Sequence, residues 1–510
     1  MAHALTAQGR WSQLDNKRRS FLNRCELYAK LTLPKICPVE GYKQETQETT
    51  HDYQAVGAQA VNHLSNKIML ATFAPSRVFF RLDPSPQKAQ EIAAAQIPQQ
   101  ELQSQLANAE RDAVKALDQM ALRPKLYEGV KHLIVTGNVL LCLEDKTARV
   151  IGLKRYVVRR SMNGEVQEII ISDPVLFDEL DPDVQTVVQA QRHYRPDNKV
   201  TLFRWITRNA LTGDYEMTQW VDTYRLPSDF DGKWPEERLP YRALTWDLAD
   251  GADYGTGLVE DYRGDFVGLS LLSRSQVMGA VLASEFRWLV NPAGMTKPED
   301  LERSENGSAL PGQKDDVVLI QSGKSQDLAV AGNMASEYVN RIGRGFLLGS
   351  AMVRDAERVT AEEIRMQANE LETSLGGAYS RLAVDFQLPM ARWLLAMIGL
   401  DLSDSGFSPS IVTGLEALSR TGDLEDLKLW LADLAAIAML PPAIQAMLKM
   451  DAVALALAAP RRVDASQYLK SHDEIAQDQA QARQAEMETN AVNAGVQAGA
   501  KVAADQGTEQ

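Results

Sequence analysis

The sequence predicts a mainly α-helical protein with a β-rich insert, that is, an α+β fold. Three observations lead to this prediction. Helical periodicity dominates residues 5–135, short β-type runs replace it between about residues 144 and 250, and two long helices then enclose a turn-rich excursion. The chain has 510 residues, of which 45% are hydrophobic, so it can fill large cores and should form several structural units.

The first elements are helical. Apolar residues recur three and four positions apart in these segments, and Pro34, Pro38 and Pro75 end two of them. The third segment is broken near Pro98, and the fourth leads into an apolar strand at 139–143. The predicted helices cover residues 5–31, which are basic, and residues 55–73, 87–120 and 126–135.

The insert has the alternation and the turn chemistry of β-structure. Its runs are separated by turn signals such as Asn163-Gly164 and Thr212-Gly213. We predict strands within residues 150–158, 166–171, 200–206 and 215–221.

A long helix is predicted to begin after Gly257 and to run to about residue 289. It carries few charges, among them Asp265, Arg274 and Glu285, and a helix of this kind is rarely surrounded by water. Its neighbours could come from the same chain or from copies of it. Asn291-Pro292 ends the helix.

The residues that follow predict the rest of a hairpin. Residues 291–323 are rich in turn signals and include a strand-like run at 317–321, after which a second helix spans 327–348. The pattern therefore predicts a helical hairpin whose tip carries a small β-containing element.

A loop at 349–359 then brings several arginines together. Arg354 and Arg358 lie beside acidic residues there, and Arg341 and Arg344 precede them on the helix. Such a loop is either a solvated connection or, in a ring of copies, a belt of positive charge that holds DNA without reading its sequence, because phosphate contacts carry no base information.

The last part of the chain is predicted to be helical and then loosely structured. Thr360 and Glu363 form a capping box ahead of a narrow apolar seam from Ile364 to Leu382. Residues 418–457 are rich in leucine and alanine and are interrupted at Pro441-Pro442, and residues 476–510 form an Ala/Gln-rich tail that we expect to be mobile.

The motifs in the sequence favour a structural protein over an enzyme. The nearest phosphate-loop match, at Gly323, has Val318 where the motif needs glycine, and the nearest dinucleotide fingerprint has Glu260 in place of its third glycine. The six histidines show no zinc-ligand spacing, and the three cysteines form no C-x-x-C pair. We therefore expect no catalytic residue, no metal and no cofactor.

Charge and hydropathy limit the partners. The net charge of −14 disfavours a tight DNA clamp but suits either a surface past which DNA slides or simple solubility. No apolar run approaches the roughly 20 residues that a membrane span needs, and no signal peptide is evident.

Several stretches together resemble the head-to-tail connector, or portal, proteins of short-tailed phages of the coliphage T-seven type. No single stretch is decisive, but their order and spacing are similar to those of the family. The stretches that carry the resemblance are DYQAVGA at 52–58, TGNVLL at 136–141, VNPAG at 290–294, ERVTAEEIR at 357–365, ELE at 370–372, LGGAYS at 375–380, QLP at 387–389 and TGLEAL at 413–418.

The resemblance implies a ring, usually of twelve copies, and a division of each copy into named parts. Residues 1–257 and 360–409 would form the wing, 258–290 and 324–348 the two stem helices, 291–323 the clip, 349–359 the tunnel loop and 410–475 a helical crown, followed by the 476–510 tail.

The resemblance also implies partners and a place. The ring would sit at one vertex of the virion, after synthesis in the host cytoplasm, and would pass double-stranded viral DNA independently of sequence. The implied protein partners are the major capsid and scaffolding proteins, the terminase large subunit, the tail adaptor and nozzle proteins, and internal core proteins. The candidate DNA-channel residues are Arg354, Arg358, Arg341 and Arg344, and the candidate clip docking residues are Lys297, Glu299, Asp300, Glu302 and Arg303.

Two other readings stay open at this point. The chain could be another virion part, such as a tail adaptor or scaffold, although such chains are typically smaller or lack the helix–clip–helix hairpin. It could also be a packaging ATPase or nuclease, against which the failed phosphate loop argues.

Overall fold

The structure is a computed structural model. It describes residues 6–42, 47, 52–75, 78–95, 99–144, 147–284, 287–305, 307–309, 311–320, 325–348, 374–400, 402, 405–411, 429–437 and 450–458. The chain divides into two compact units, residues 1–415 and 416–510, and each is considered by itself.

Helices open the first unit and form its centre. Val56–Thr72 packs against Leu122–Thr136, and residues such as Leu64 and Val130 are completely buried between them. The helices before the insert are Ala7–Lys17, Arg19–Leu31, Val56–Thr72, Pro86–Ala94, Gln99–Gln119 and Leu122–Thr136.

The predicted helix at 5–31 is in fact two helices, broken at Arg18. The Arg18 side chain is buried, and its guanidinium donates hydrogen bonds to the Leu153 carbonyl at 2.9 Å and to the Asp15 carboxylate at 3.0 and 2.9 Å. The backbone leaves helical geometry there, with φ −95° and ψ 7°.

The insert is β-rich, as its turn signals predict, and its strands form two sheets. A three-stranded antiparallel sheet has Asn138–Glu144 in the middle, between Tyr241–Thr245 and Thr147–Ile151. The larger sheet has six strands: Tyr156–Arg160, Val166–Leu176, Lys199–Arg208, Tyr215–Val221, Tyr224–Arg225 and Gly232–Trp234.

Two details of the insert differ from the prediction. The run at 150–158 is divided between the two sheets, because a 3₁₀ turn at Leu153–Arg155 interrupts it. A helix, Pro182–Gln189, also interrupts the β-structure, with Asp181 accepting from the Asp183 amide at its start.

The helical hairpin is present, with its tip altered. Leu258–Asp261 leads into Arg263–Ser284, and Ser325–Gly345 returns alongside it. The first helix ends at Ser284, not near residue 289, because Arg287–Val290 is extended and pairs antiparallel with Val317–Ile320. We call Arg263–Ser284 and Ser325–Gly345 the hairpin helices.

The chain then closes the first unit. Gly377–Leu382 continues through a π-helical turn, Ala383–Gln387, into Leu388–Met397, and Phe407–Ile411 pairs antiparallel with Phe80–Pro84. Of the second unit, residues 429–437 and Met450–Ala458 are helical, and the Trp430 indole donates to the Ala454 carbonyl at 3.0 Å.

Several predicted features lie outside the described residues. They are the loop at 349–359, the capping box at Thr360, most of the seam behind it, the Pro441-Pro442 break and the tail at 476–510.

Candidate functional site: the helical hairpin and its tip

The hairpin helices are held together by aromatic and aliphatic packing. Phe346, fully buried, contacts the ring of Phe266 at 5.6 Å between centroids and that of Tyr262 at 5.5 Å, both edge to face. Farther along, Gly279 lets Leu328 approach so closely that a Cβ on the glycine would lie 2.5 Å from its side chain. The two helices therefore form one rigid unit with an interior of their own.

Both hairpin helices leave large apolar side chains exposed. Soluble monomers rarely leave so many large apolar side chains in one element uncovered. The first helix exposes Leu271 (59%), Val277 (51%), Met278 (53%), Val281 (55%) and Leu282 (60%), and the second exposes Val330 (58%) and Met334 (46%).

The exposed residues form one stripe on each hairpin helix. On the first helix, Leu271, Met278 and Leu282 are seven and four positions apart, and Val281 is three positions from Met278 and four from Val277, so the five lie on adjoining faces. On the second helix, Val330 and Met334 are four positions apart. Each stripe can be shielded from water by a neighbouring molecule.

The base of the hairpin is tied to the segment before Val56. Ser270 donates to the Asp52 carboxylate, and the Arg274 guanidinium lies 5.7 Å from the centroid of the Tyr53 ring. Both Asp52 and Tyr53 belong to the first stretch of the family resemblance.

The structure locates two of the four channel candidates. Arg341 donates to the Asp265 carboxylate across the hairpin and lies 4.6 Å from the centroid of the Tyr338 ring, so its charge is already matched. Arg344 is exposed three residues later. Arg354 and Arg358 lie outside the described residues.

Four of the five clip candidates belong to one short helix, Pro298–Arg303, and the fifth, Lys297, directly precedes it. Lys297, Glu299, Asp300, Glu302 and Arg303 are all exposed, and the two acids of the first turn suit the positive end of the helix. These candidates, which adjoin in the sequence, are thus exposed in and just before a single short helix at the tip.

The tip is held together by Asp316, a residue that the sequence did not single out. One carboxylate oxygen of Asp316 accepts from the amides of Met295 (2.9 Å), Thr296 (3.2 Å) and Gln313 (3.2 Å), and also from the Thr296 hydroxyl at 3.2 Å. These hydrogen bonds lower the pKa of Asp316. The signal in the sequence was weak, because Asp315-Asp316 ahead of a strand resembles an ordinary acidic turn.

The three cysteines offer no chemistry. All are buried and unbridged, and burial raises the pKa of Cys37 to about 11 and those of Cys25 and Cys142 further. Within the described ranges no group of three or more His, Cys, Asp or Glu residues could hold a metal ion. Over the same part of the chain, no helix is long and apolar enough to cross a bilayer.

Comparison with known proteins gives one consistent result. A family profile, described as bacteriophage head to tail connecting protein, matches residues 4–468. The portal protein of Enterobacteria phage SP6 is 32% identical over 486 residues, which cover 94% of this chain and 92% of the relative. The portal protein of Pseudomonas phage phiKMV is 34% identical over 493 residues, which cover 94% of each chain.

Among solved structures, a chain from the neck of a native GTA particle computed with C12 symmetry is similar at a TM-score of 0.35. It is 14% identical, and the match covers 76% of this chain and 87% of that one.

Proposed function

Because this chain belongs to the family of bacteriophage head to tail connecting proteins, we propose that its copies assemble side by side through the hairpin helices into a closed ring. The chain is a portal subunit and a component of the virion. The assembly into a ring, the parts of each subunit and the partners are what we propose.

The observation that supports the ring most strongly is the double apolar surface of the hairpin. The first helix carries one stripe, which includes Leu271, Met278 and Leu282, and the second helix carries the other, Val330 and Met334. A subunit in a ring has two flanks, and each must contact a different neighbour. Two apolar stripes on one rigid element suit that arrangement, since closed head-to-tail contacts bury both sides of every copy.

The parts follow the layout that the resemblance implies. Residues 1–257 and 360–409 form the wing, the hairpin forms the stem, 291–323 the clip, and 410–475 the crown. The described β-pair and short helix at the hairpin tip support a compact clip. The pairing of Phe80–Pro84 with Phe407–Ile411 supports a return of the chain to the wing.

The ring passes double-stranded DNA during packaging and ejection, with little attraction along the way. A net charge of −14 per copy discourages sticking, and Arg354 and Arg358 of the 349–359 loop supply local positive charge at the channel. Arg341 contributes less, because Asp265 already balances it.

The clip docks the packaging motor first and tail proteins later. The exposed charges of Lys297, Glu299 and Arg303 support this role, since rim charges set partner choice and rates of association. The capsid, scaffolding and internal core proteins contact the ring elsewhere, at a single vertex of the particle. The ring itself hydrolyses no nucleotide.

Electron microscopy of the purified full-length chain tests the assembly. We expect rings with a central hole, and a chain that stays a folded single copy at every concentration contradicts the proposal. Arg354→Glu tests the channel: rings should form normally while DNA retention falls. Unchanged DNA content and leakage in that variant would remove the 349–359 loop from the channel.

A further inference from the structure

The first unit contains a cavity of about 730 Å³, away from the hairpin. Three segments far apart in the sequence build its walls: the stretch from Gly232–Trp234 to Tyr241–Thr245, the helix Leu388–Met397 and the strand Phe407–Ile411. A cavity of this size is typical of sites that take a small molecule or a few residues of peptide.

Much of the lining is apolar and aromatic. Trp234 and Trp393 contribute indole rings, and Leu400, Leu402 and Phe407 contribute further apolar surface. A ligand of this cavity must therefore present at least one large apolar group, because covering apolar walls with such a group is more favourable than leaving them in contact with water.

Three arginines, Arg238, Arg242 and Arg392, also line the cavity, against a single carboxylate, that of Glu237. Arg392 lies 3.6 Å from that carboxylate, and the Glu237 side chain is 75% exposed, so the pair is weak. The lining thus carries more positive than negative charge, while Glu236 and Asp385 lie close enough to Arg242 to raise its pKa in part.

Arg242 is only partly hydrogen-bonded. Its Nη2 donates to the carbonyls of Glu236 (3.0 Å) and Glu237 (2.7 Å), but its Nε, which is shielded from solvent, has no hydrogen-bond partner among the described residues. Burial, and secondly the nearby Arg392, lower the pKa of Arg242. An anion placed between the two guanidiniums would relieve both penalties.

We propose that this cavity binds a peptide segment of a partner protein in which a carboxylate lies beside a large apolar side chain. The apolar group enters between Trp234 and Trp393, and the carboxylate pairs with Arg242 and Arg392. Charge complementarity with Arg242 and Arg392 favours an acidic segment over a basic or uncharged one.

Fluorescent octapeptides added to the assembled full-length protein test the site. The probe carries phenylalanine and leucine between glutamates; a second peptide replaces the glutamates with lysines, and a third replaces the phenylalanine and leucine with serines. We expect fluorescence anisotropy to show the first peptide binding at least about tenfold more tightly than either of the others. Equal binding of all three would overturn the proposal.

Variants locate the binding. Arg392→Glu should weaken the first peptide about tenfold or more, Arg392→Lys should stay within about threefold, and Trp393→Ala should also lose binding. Arg225→Glu is the matched control, because Arg225 is an exposed arginine paired with Asp231 outside the cavity lining. If Trp393→Ala fails to fold, the two Arg392 variants decide alone.

Two other results also count against the site. An equal loss in Arg225→Glu would show that the peptide follows general charge. A failure of the assembled wild type to bind the first peptide, as when a neighbouring copy already fills the cavity, would exclude the partner segment. Ring formation is measured separately, so failure of the cavity leaves the portal assignment standing.

Discussion

Replacing Leu271 with glutamate tests whether the exposed stripe of the hairpin is an assembly surface. Leu271 is 59% exposed in the single chain. Complete burial of a leucine is worth roughly 1.5–3 kcal/mol, so covering the exposed part contributes about 1–2 kcal/mol to each contact between copies. A glutamate there loses that gain and must also be desolvated, which brings the cost to about 3 kcal/mol or more per contact.

An effect of that size corresponds to a fall of roughly a hundredfold or more in association at every contact of the ring. Sedimentation velocity and negative-stain microscopy of the purified chain measure it directly. We expect Leu271→Glu to remain as subunits or short arcs at concentrations where the wild type forms rings, while circular dichroism shows the same folded content.

Leu211→Glu is the matched control for this experiment. Leu211 is 96% exposed in the loop between two strands of the larger sheet, so the same substitution there should leave assembly unchanged. Leu271→Glu rings that match the wild type at all concentrations would refute the reasoning. An equal loss in Leu211→Glu would do so as well, because it would trace the effect to charge alone.

Three further predictions test the interior and the tip. Burial lowers the pKa of His132 to about 4 from its ordinary 6.5, so the folded chain binds fewer protons than the unfolded chain between those pH values. The free energy of unfolding therefore falls by about 3 kcal/mol as the pH drops through that window. In thermal melting, His132→Gln should lose that share of the pH dependence. Gly137→Ala should abolish soluble expression, since φ is +74° and a Cβ would lie 2.3 Å from the backbone of Thr256. Gly251 has a similar φ of +70° but open space around it, so Gly251→Ala should lower the free energy of unfolding by only about 1–2 kcal/mol in a denaturant titration. Asp316→Ala removes the acceptor for three amides and should speed hydrogen exchange in residues 291–305 without shifting the main melting transition; unchanged exchange there would show that the tip is held by its strands alone.

The elements that the sequence predicts correctly are those with local signals. The run Tyr215–Val221 alternates and follows a Thr212-Gly213 turn, and it is a strand with those bounds. Val56–Thr72 repeats apolar residues at helical spacing and is a helix within a residue of the predicted ends. In both, the period of the apolar residues matches the element that buries them.

The elements that it misses depend on distant partners. Phe80–Pro84 is a strand only because Phe407–Ile411 lies beside it, with Phe80 opposite Ile411. Each run contains a proline, which weakens its own β signal. The same reason explains the early end of the first hairpin helix, since Trp288 and Val290 can pair with Leu319 and Val317 only once the tip has folded back.

Among the candidate functional surfaces, too, those formed by neighbouring residues could be predicted and those formed by distant segments could not. The clip charges could be located from the sequence because they cluster around Pro298. Asp316, which holds the segment just before them, could not, because it bonds to amides about twenty residues earlier. The cavity between Trp234 and Trp393 was beyond prediction for the same reason, as its walls come from segments more than a hundred residues apart.

The hairpin shows what three-dimensional information adds to a correct sequence pattern. Low charge along residues 258–290 indicates that the helix is covered, but it does not distinguish cover by its own chain from cover by a neighbour. The structure separates the two, because Phe266 and Leu269 are buried inside the chain while Leu271 and Leu282 stay more than half exposed on the same helix. The hairpin is already held together by aromatic packing, so these exposed leucines are not needed for its stability. Their presence is better explained by contact with another molecule. The exposed stripes, more than the low charge itself, therefore support the ring.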